Sequence, residues 1–400
     1  VKILQINTVV NTGSDGRIAE DIGRMLKSGG HQSFIGYGRS AINSGSELIK
    51  IGNRTGQALH LIRTRLFDRH GFGSSNATRN FIKKLEKLDP DLIHLHNIHG
   101  YYLNIALLFS YLKSCSKPVV WTLHDCWPFT GHCTHFEYHS CTKWKSQCFD
   151  CPNSRAYPKT VLLDNSRLNY IDKKKLFTAI SNMTIVVPSR WLANHVRNSF
   201  LSKYEIRIIN NGIDLDIFVP AGKVGIPEKY GLRMRYILGV ANTWTERKGL
   251  SDFKALRKLL HPDIDILLTG LTPQQSKNLD PGIKSIPRTE DLSELAALYA
   301  SASVYVNPTY SDNFPATNIE ALACGTPVVA YNTGGCREII SINCGSVVPK
   351  GDIPGLHQAV MQVMGNDKDY YINQCRARAV ENYDKRVRFA DYLGLYRELT

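Results

Sequence analysis

Short apolar runs alternate with segments of helical period along this chain, and the alternation starts afresh near residue 236. Residues 2–9 form an apolar run that predicts a strand. A polar, glycine-containing loop spans 11–17, and Ile18, Ile22, Met25 and Leu26 then recur on one face of a helix predicted over 18–27. Residues 31–37 read as a second strand, and 53–88 as polar helix broken by a loop at 71–75. Residues 90–104 carry a strand into a loop, while 118–123, 184–187 and 207–209 predict further buried strands. Residues 220–227, with prolines at both ends and two glycines between, have linker composition. Strands follow at 236–241, 265–270 and 284–288, with helices near 250, over 292–300, 354–364 and 370–379, and an amphipathic segment over 386–399. Strand, glycine loop and helix in repetition are the pattern of doubly wound α/β folds.

The second half turns on residues 303–338. Val304–Val306 is apolar, Asn307-Pro308 breaks it, and Asp312 lies in the polar loop that follows. Thr317-Asn318-Ile319-Glu320 has capping-box spacing and predicts a helix from about Thr317 to Gly325. Pro327–Ala330 is a second buried strand, closed by Gly334-Gly335. Loops at the carboxyl ends of parallel strands are where open α/β folds bind ligands. A helix start there offers free N–H groups and a positive dipole end, which suit a diphosphate. Taken singly, Glu320 is a cap and Asp312 a turn former. Lys248-Gly249 stands in the same context, after a strand and before a helix, with Arg247 beside it. A cation there suits a diphosphate, and surface charge is the plainer alternative.

Composition narrows the class. Four hundred residues, 43% hydrophobic and 21% charged, describe two globular domains. No apolar run is long enough for a membrane span. The opening run predicts a buried strand and not a signal peptide, which implies a cytoplasmic chain. A net charge of +14 favours anionic partners. Basic residues gather at 83–84, 173–175 and 233–235 without a nucleic-acid module, so no nucleic-acid partner is expected. An anionic membrane surface or evenly spread charge remain as readings.

Six of ten cysteines fall between 115 and 151. Cys133, Cys141, Cys148 and Cys151 crowd into a stretch read as poor in apolar core material, and Cys148-x2-Cys151 can supply two corners of a zinc tetrahedron. The expectations are a structural zinc, or free or redox-active thiols. His94, His96 and His99 fall within six residues. Alternation puts the first two on one side of a strand and the third in the loop beyond. No carboxylate or cysteine completes a ligand set nearby, so a substrate pocket is favoured over a metal. His124-Asp125 ends the strand at 118–123, a position for hydrogen bonding or proton transfer, or for a structural histidine held by its neighbour.

Several of these strings resemble a known family. Asp312 and Glu320, eight apart and followed by Gly325-Thr326-Pro327, resemble the E-x7-E signature of family-4 retaining glycosyltransferases of the GT-B fold. The first acidic position is Asp here, where the family usually has Glu. Residues 90–97, Val187-Pro188-Ser189, Asn211-Gly212 with Asp214, and Lys248-Gly249 resemble further landmarks. The family's arginine upstream of the lysine is replaced by Asn242 or Thr243. The run 121–133 with the later Cys148-x2-Cys151-Pro152 is similar to a bacterial polysaccharide-assembly subgroup that carries a cysteine-containing insertion.

The resemblance implies an α/β GT-B architecture, two doubly wound Rossmann-like domains facing an interdomain cleft. Boundaries are expected at 1–218, with the insertion at about 126–155, at 219–385, and at 386–400 for a helix returning to the first domain. It implies transfer from a UDP- or GDP-sugar to a saccharide acceptor, lipid-linked and at the inner face of the cytoplasmic membrane, in surface polysaccharide synthesis. His124, Asp312 and Lys248 are the expected catalytic residues. Gly13, Gly16, Arg247, Lys248, Arg288, Ala316, Thr317, Asn318 and Glu320 are the expected donor-binding residues. No catalytic metal is expected. The rivals are another GT-B reaction, epimerase or phosphorylase, and a non-catalytic zinc-stabilised anion-binding protein.

Overall fold

The computed structural model describes residues 1–220, 225–233, 235–289 and 291–400. The middle of the expected linker, residues 221–224, lies outside the described residues. The chain divides into two compact units, Val1–Asn210 with Arg386–Thr400, and Asn211–Lys385.

The first unit runs β1 (Lys2–Asn7), α1 (Gly13–Ser28), β2 (Gln32–Tyr37), β3 (Glu47–Lys50), α2 (Arg54–Phe67), α3 (Ser75–Leu88), β4 (Leu92–Leu95), α4 (Ile105–Cys115), β5 (Val119–Thr122), α5 (Ser166–Phe177), β6 (Met183–Val187), α6 (Arg190–Arg197) and β7 (Glu205–Ile208). The strands form one parallel sheet in the order β3-β2-β1-β4-β5-β6-β7. The central strands are mostly apolar and buried along their whole length because helices cover both faces.

Three features differ from the sequence reading. The loop after β1 is shorter, since α1 already begins at Gly13 and places Gly13 and Gly16 in its first turn. β3 was hidden by its exposed, charged-ended sequence. α5 was hidden because its buried face includes Ser166, Asn169 and Lys173, which blurs the apolar period. Lys173 is accordingly no part of a surface basic cluster. It is buried, stands 3.5 Å over the Trp127 ring, and donates to the carbonyls of Trp127 and Thr130 at 2.9 and 3.0 Å. Burial lowers its pKa to about 7.

The second unit runs α7 (Ile226–Lys229), β8 (Tyr236–Val240), α8 (Leu250–Leu259), β9 (Asp265–Thr269), α9 (Pro273–Ser276), β10 (Ile283–Ile286), α10 (Leu292–Ser301), β11 (Val304–Asn307), α11 (Ala316–Ala323), β12 (Val328–Tyr331), α12 (Cys336–Ile339), β13 (Gly345–Val348), α13 (Ile353–Gly365) and α14 (Lys368–Tyr383). Its parallel sheet has the order β10-β9-β8-β11-β12-β13. Ile213, Leu215 and Phe218 lie in this unit's core, so it begins at Asn211 and not at 219.

The last helix, α15 (Lys385–Leu399), gives residues 386–400 to the first unit. Phe389, Tyr392, Leu395 and Tyr396 pack with Ile3, Ile18, Val120 and Val186. Each such buried side chain contributes roughly 1.5–3 kcal/mol. Tyr396 bonds His94 Nδ1 at 2.6 Å and Tyr392 bonds the Thr122 hydroxyl at 3.1 Å, so the helix is fixed in register as well as buried.

Candidate active site

In the second unit the strand order reverses between β8 and β11, and the loops after these two strands meet there. Lys248 ends the first loop and Asp312 lies in the second; their ammonium and carboxylate pair at 2.6 Å. Both side chains are about a quarter exposed, so the pair is held yet open to a ligand. A glycine brings the loops this close. Gly249 has φ +78°, and a Cβ there would stand 2.3 Å from the Pro308 carbonyl oxygen. Gly334, in the loop after β12 and with φ +53°, packs on the other side of the Asp312 loop, where a Cβ would stand 2.2 Å from the Asp312 carbonyl oxygen. Any side chain at either point forces the backbones apart.

Arg247 is tied by its guanidinium to the Ser311 carbonyl, while its own carbonyl accepts the Tyr310 N–H at 2.8 Å. Burial lowers its pKa, and Asp312 acts in the opposite direction. Asp252 accepts the hydroxyls of Tyr310 and Tyr331 at 2.8 and 2.6 Å, bracing the same loop from below. Nothing in the sequence marked Asp252, since both partners lie more than 50 residues away.

The capping box expected at Thr317–Glu320 is not formed. α11 begins one residue earlier, at Ala316, with Pro315 as N-cap and no side-chain cap. Glu320 instead receives the Tyr299 hydroxyl at 3.0 Å and is buried. Asn318 is wholly buried against Asn307 and Cys336, so only its backbone is offered to a ligand. Arg288 is exposed just past the carboxyl end of β10.

In the first unit the order reverses between β1 and β4. There Asn97 donates to Asp15 at 2.8 Å, joining the loop after β4 to the first turn of α1, which also holds Gly13 and Gly16. Behind it runs a chain of side chains with fixed tautomers. Gln5 uses its amide N–H₂ on the Ala19 carbonyl, so its oxygen accepts from His96 Nε2 at 3.0 Å. His96 Nδ1 then accepts from His124 Nε2 at 3.0 Å, with the two rings stacked. Burial lowers the pKa of both, so both imidazoles are neutral near pH 7.

Asp125 does not hold His124. It accepts from His99 Nε2 at 2.9 Å and from the Trp127 N–H at 2.9 Å. Burial raises its pKa, but the facing His99 and the hydrogen bonds outweigh that and the net shift is downward. Tyr157, from the insertion, reaches His99 Nδ1 at 3.2 Å. Tyr101 packs against both Tyr157 and the buried His70, with ring centroids 6.1 and 4.8 Å away. Tyr101 has φ +70°, a strained conformation for a bulky residue. His70 accepts the Gly100 N–H on Nε2, and its Nδ1 has no partner among the described residues. Sequence reasoning missed Tyr101, Tyr157 and His70. Only the contacts, which span up to 58 residues, single them out.

The four cysteines do not assemble the expected zinc centre. All ten cysteines are free, and among the described residues no group of three or more His, Cys, Asp or Glu side chains can hold a metal ion. Cys148 Sγ accepts the Gly131 N–H at 3.2 Å. Burial pushes the Cys148 thiol up to about 12. The stretch is also richer in core material than expected. Phe136 and Trp144 are buried, stack on one another at 4.9 Å and pack on His195 of α6, so an aromatic cluster holds the insertion to the first unit.

Two parallel sheets, each with its crevice at a topological switch point, define the GT-B class. The fold matches that of a solved Anabaena protein, Alr3699/HepE in complex with UDP, with TM-score 0.70, 14% identity and 100% of each chain covered. The family profile "Glycosyltransferase Family 4" matches residues 16–217 and "Glycosyl transferases group 1" matches residues 235–366. The chain belongs to glycosyltransferase family 4 and is a glycosyltransferase. Among its relatives, an Escherichia coli (strain K12) protein with the provisional name colanic acid biosynthesis glycosyl transferase WcaC is 27% identical over the whole of both chains. The phosphatidyl-myo-inositol mannosyltransferase of Mycolicibacterium smegmatis is 27% identical over 48% of this chain and 52% of its own.

Proposed function

We propose that this glycosyltransferase moves a sugar, of hexosyl type, from a nucleoside diphosphate sugar to a saccharide acceptor, with retention at the anomeric carbon, during surface polysaccharide synthesis. The observation that carries this reading is the Lys248–Asp312 pair at the switch point of the second unit. The bond from C1 to the diphosphate breaks as C1 becomes oxocarbenium-like, and the new bond to the acceptor oxygen forms on the same face. Lys248, Arg247 and the N–H groups at the start of α11, at Ala316, Thr317 and Asn318, stabilise the departing charge. These cations do the work that a divalent metal does elsewhere. Asp312 holds the donor sugar, Glu320 the ribose hydroxyls, and Arg288 the rim of the nucleotide site. The acceptor proton passes to the leaving phosphate oxygen, so no side chain need act as general base.

The acceptor belongs to the first unit in this reading. Tyr101 and Tyr157 offer aromatic faces to a pyranose ring, and the unpartnered His70 Nδ1 and the His99–Asp125 pair stand beside them. Gly13, Gly16 and the neutral His124 are the first unit's candidates for contact with the transferred sugar. The acceptor is lipid-linked, at the cytoplasmic face of a membrane. The +14 charge, the E. coli relative's name and the mycobacterial relative's lipid substrate support this part.

The test is a panel of UDP- and GDP-sugars scored by thermal shift. A ligand at a hundred times its Kd stabilises by about 2.7 kcal/mol. The donor so found is then used for transfer, and the product's anomeric configuration is read by NMR. An inverted product would remove retention, and no response to any nucleotide sugar would remove the donor site.

A further inference from the structure

The helix α2 is built inside out. A surface helix ordinarily turns its apolar stripe to the core. Here the buried positions are the polar His60 and Thr64, held by bonds to Ser74, Gly71 and Gly73 and to the helix's own backbone. Leu59, Ile62 and Leu66, spaced as one helical stripe, face solvent, with Leu59 64% and Ile62 53% exposed. A second segment extends the same face. Val161 donates to the Arg65 carbonyl and Leu163 to the Leu66 carbonyl, which lays Val161-Leu162-Leu163 along the end of α2. Val161 and Leu162 are 63% and 66% exposed. Scattered exposed apolar residues are ordinary, but two adjoining segments that expose theirs together mark an interaction surface.

The charges around it select the partner. Neither α2 nor residues 155–163 contain an acidic residue. Arg54, Arg63, Arg155 and Lys159 are exposed and make no ion pair among the described residues. The carboxylates at the ends of these segments are engaged by neighbours. Asp68 is buried with His132, and Asp164, itself exposed, receives the N–H groups of Cys151 and Ser166. Beside the apolar stripe lies a cavity of about 420 Å³. Leu59 belongs to both, Arg63 stands at the cavity's wall, and Asn53, Gln57, Asn76 and Asn80 add polar groups to it. Apolar side chains ringed by unpaired cations match the boundary layer of an anionic bilayer.

We infer that α2 and residues 159–163 form the face by which this protein docks on an anionic lipid bilayer, its apolar side chains entering the acyl boundary and its arginines and Lys159 meeting lipid phosphates. This rests on the membrane-borne acceptor of the proposed function and names the surface that reaches it.

The full chain is sedimented with phosphatidylglycerol vesicles and with phosphatidylcholine vesicles, at low and high ionic strength. The expected result is binding to the anionic vesicles that weakens with salt. The variant L59S/I62S/L162S should lose roughly a hundredfold in vesicle partitioning at both ionic strengths, with its Tm and its UDP or GDP affinity unchanged. The variant R63Q/R155Q/K159Q should lose binding chiefly at low salt. Equal, negligible binding to both vesicle types, or an apolar variant that binds like the parent, would overturn the inference. So would a solution dimer that the apolar variant disperses, since the face would then belong to a second copy. Vesicle binding without any response to UDP or GDP would sink the donor reading and leave the docking face standing.

Discussion

Replacing Lys248 with alanine separates a catalytic cation from a structural one. The ammonium pairs with Asp312 at 2.6 Å, and both partners are about a quarter exposed. An ion pair this open contributes about 0.2–1 kcal/mol to stability, because solvent screens it. The backbone at 248 is held independently by Gly249, packed under the Pro308 carbonyl, so removing the side chain does not release the loop. The fall in Tm should therefore be small, about 2–4 °C at most. Catalysis should fall far more. A preorganised cation facing charge that grows on the leaving diphosphate is worth about 2.7–4 kcal/mol, or a hundred- to a thousandfold in kcat. The assay is steady-state transfer with the donor found in the nucleotide-sugar panel, beside scanning calorimetry of the same preparation. The loss should fall on kcat more than on KM, since the charge is fullest in the transition state. A sharp drop in Tm with kcat intact in the surviving protein would refute the reasoning and leave Lys248 a structural residue. Asp312→Glu is the companion experiment; it keeps the carboxylate and should retain activity.

Glu320→Gln should weaken donor binding by roughly 1.5–3 kcal/mol, since one charged hydrogen bond is lost, while the fold survives; equilibrium titration with UDP and GDP measures it. Gly249→Ala should depress Tm and donor affinity together, because a Cβ at 2.3 Å from a backbone oxygen must spread the two loops; retained donor affinity would break the link between them. Stability should fall as pH drops below 6.5: burial lowers His60 to about 4 and holds His70, His94 and His96 well below their usual value, so the unfolded chain takes up protons that the folded chain refuses. His60 alone then costs about 1.4 kcal/mol per pH unit between 6.5 and 4, which urea unfolding at pH 7 and pH 5 would register. Elemental analysis of the purified protein should find no stoichiometric zinc, and Cys148→Ser should fold.

What the sequence made legible is what depends on neighbours along the chain. Val119–Trp121 and Val328–Tyr331 are continuous apolar runs because a doubly covered parallel strand has no solvent face, and such runs read directly. Lys248 was readable because strand, cation, glycine and helix follow each other within a few residues. What stayed hidden depends on distant partners. The capping box at Thr317–Glu320 has the right spacing, yet the helix starts one residue earlier, behind Pro315, and Tyr299 claims the Glu320 carboxylate from elsewhere in the unit. α5 escaped notice because a buried lysine stands where an apolar residue would mark the period, and its ammonium is satisfied by two carbonyls from the insertion. The cysteines misled for the same reason: their spacing allows a metal, but Phe136 and Trp144 supply the cohesion that a metal would have given.

The insertion after β5 also joins the residues proposed for the acceptor to the rest of the first unit. Its aromatic cluster packs on Trp191 and His195 of α6, and the chain then reaches two further places in the first unit. Tyr157 extends to His99, which Asp125 orients, at the carboxyl end of the sheet. A few residues later, Val161 and Leu163 hydrogen-bond along α2 and complete its exposed apolar face. One segment thus ties the proposed acceptor residues to the proposed bilayer face, with only Pro158, Lys159 and Thr160 between them. Thr160 is itself pinned, its hydroxyl donating to the carbonyls of Arg65 and Leu163 at 3.1 and 2.8 Å. An acceptor whose saccharide lies against Tyr101 and Tyr157 would therefore have the lipid-facing surface a few residues from its reducing end. A soluble acceptor would make no use of that arrangement. Transfer by L59S/I62S/L162S should then be impaired toward a vesicle-borne acceptor and unimpaired toward its delipidated saccharide, and equal rates on both would separate the insertion's two contacts into unrelated features.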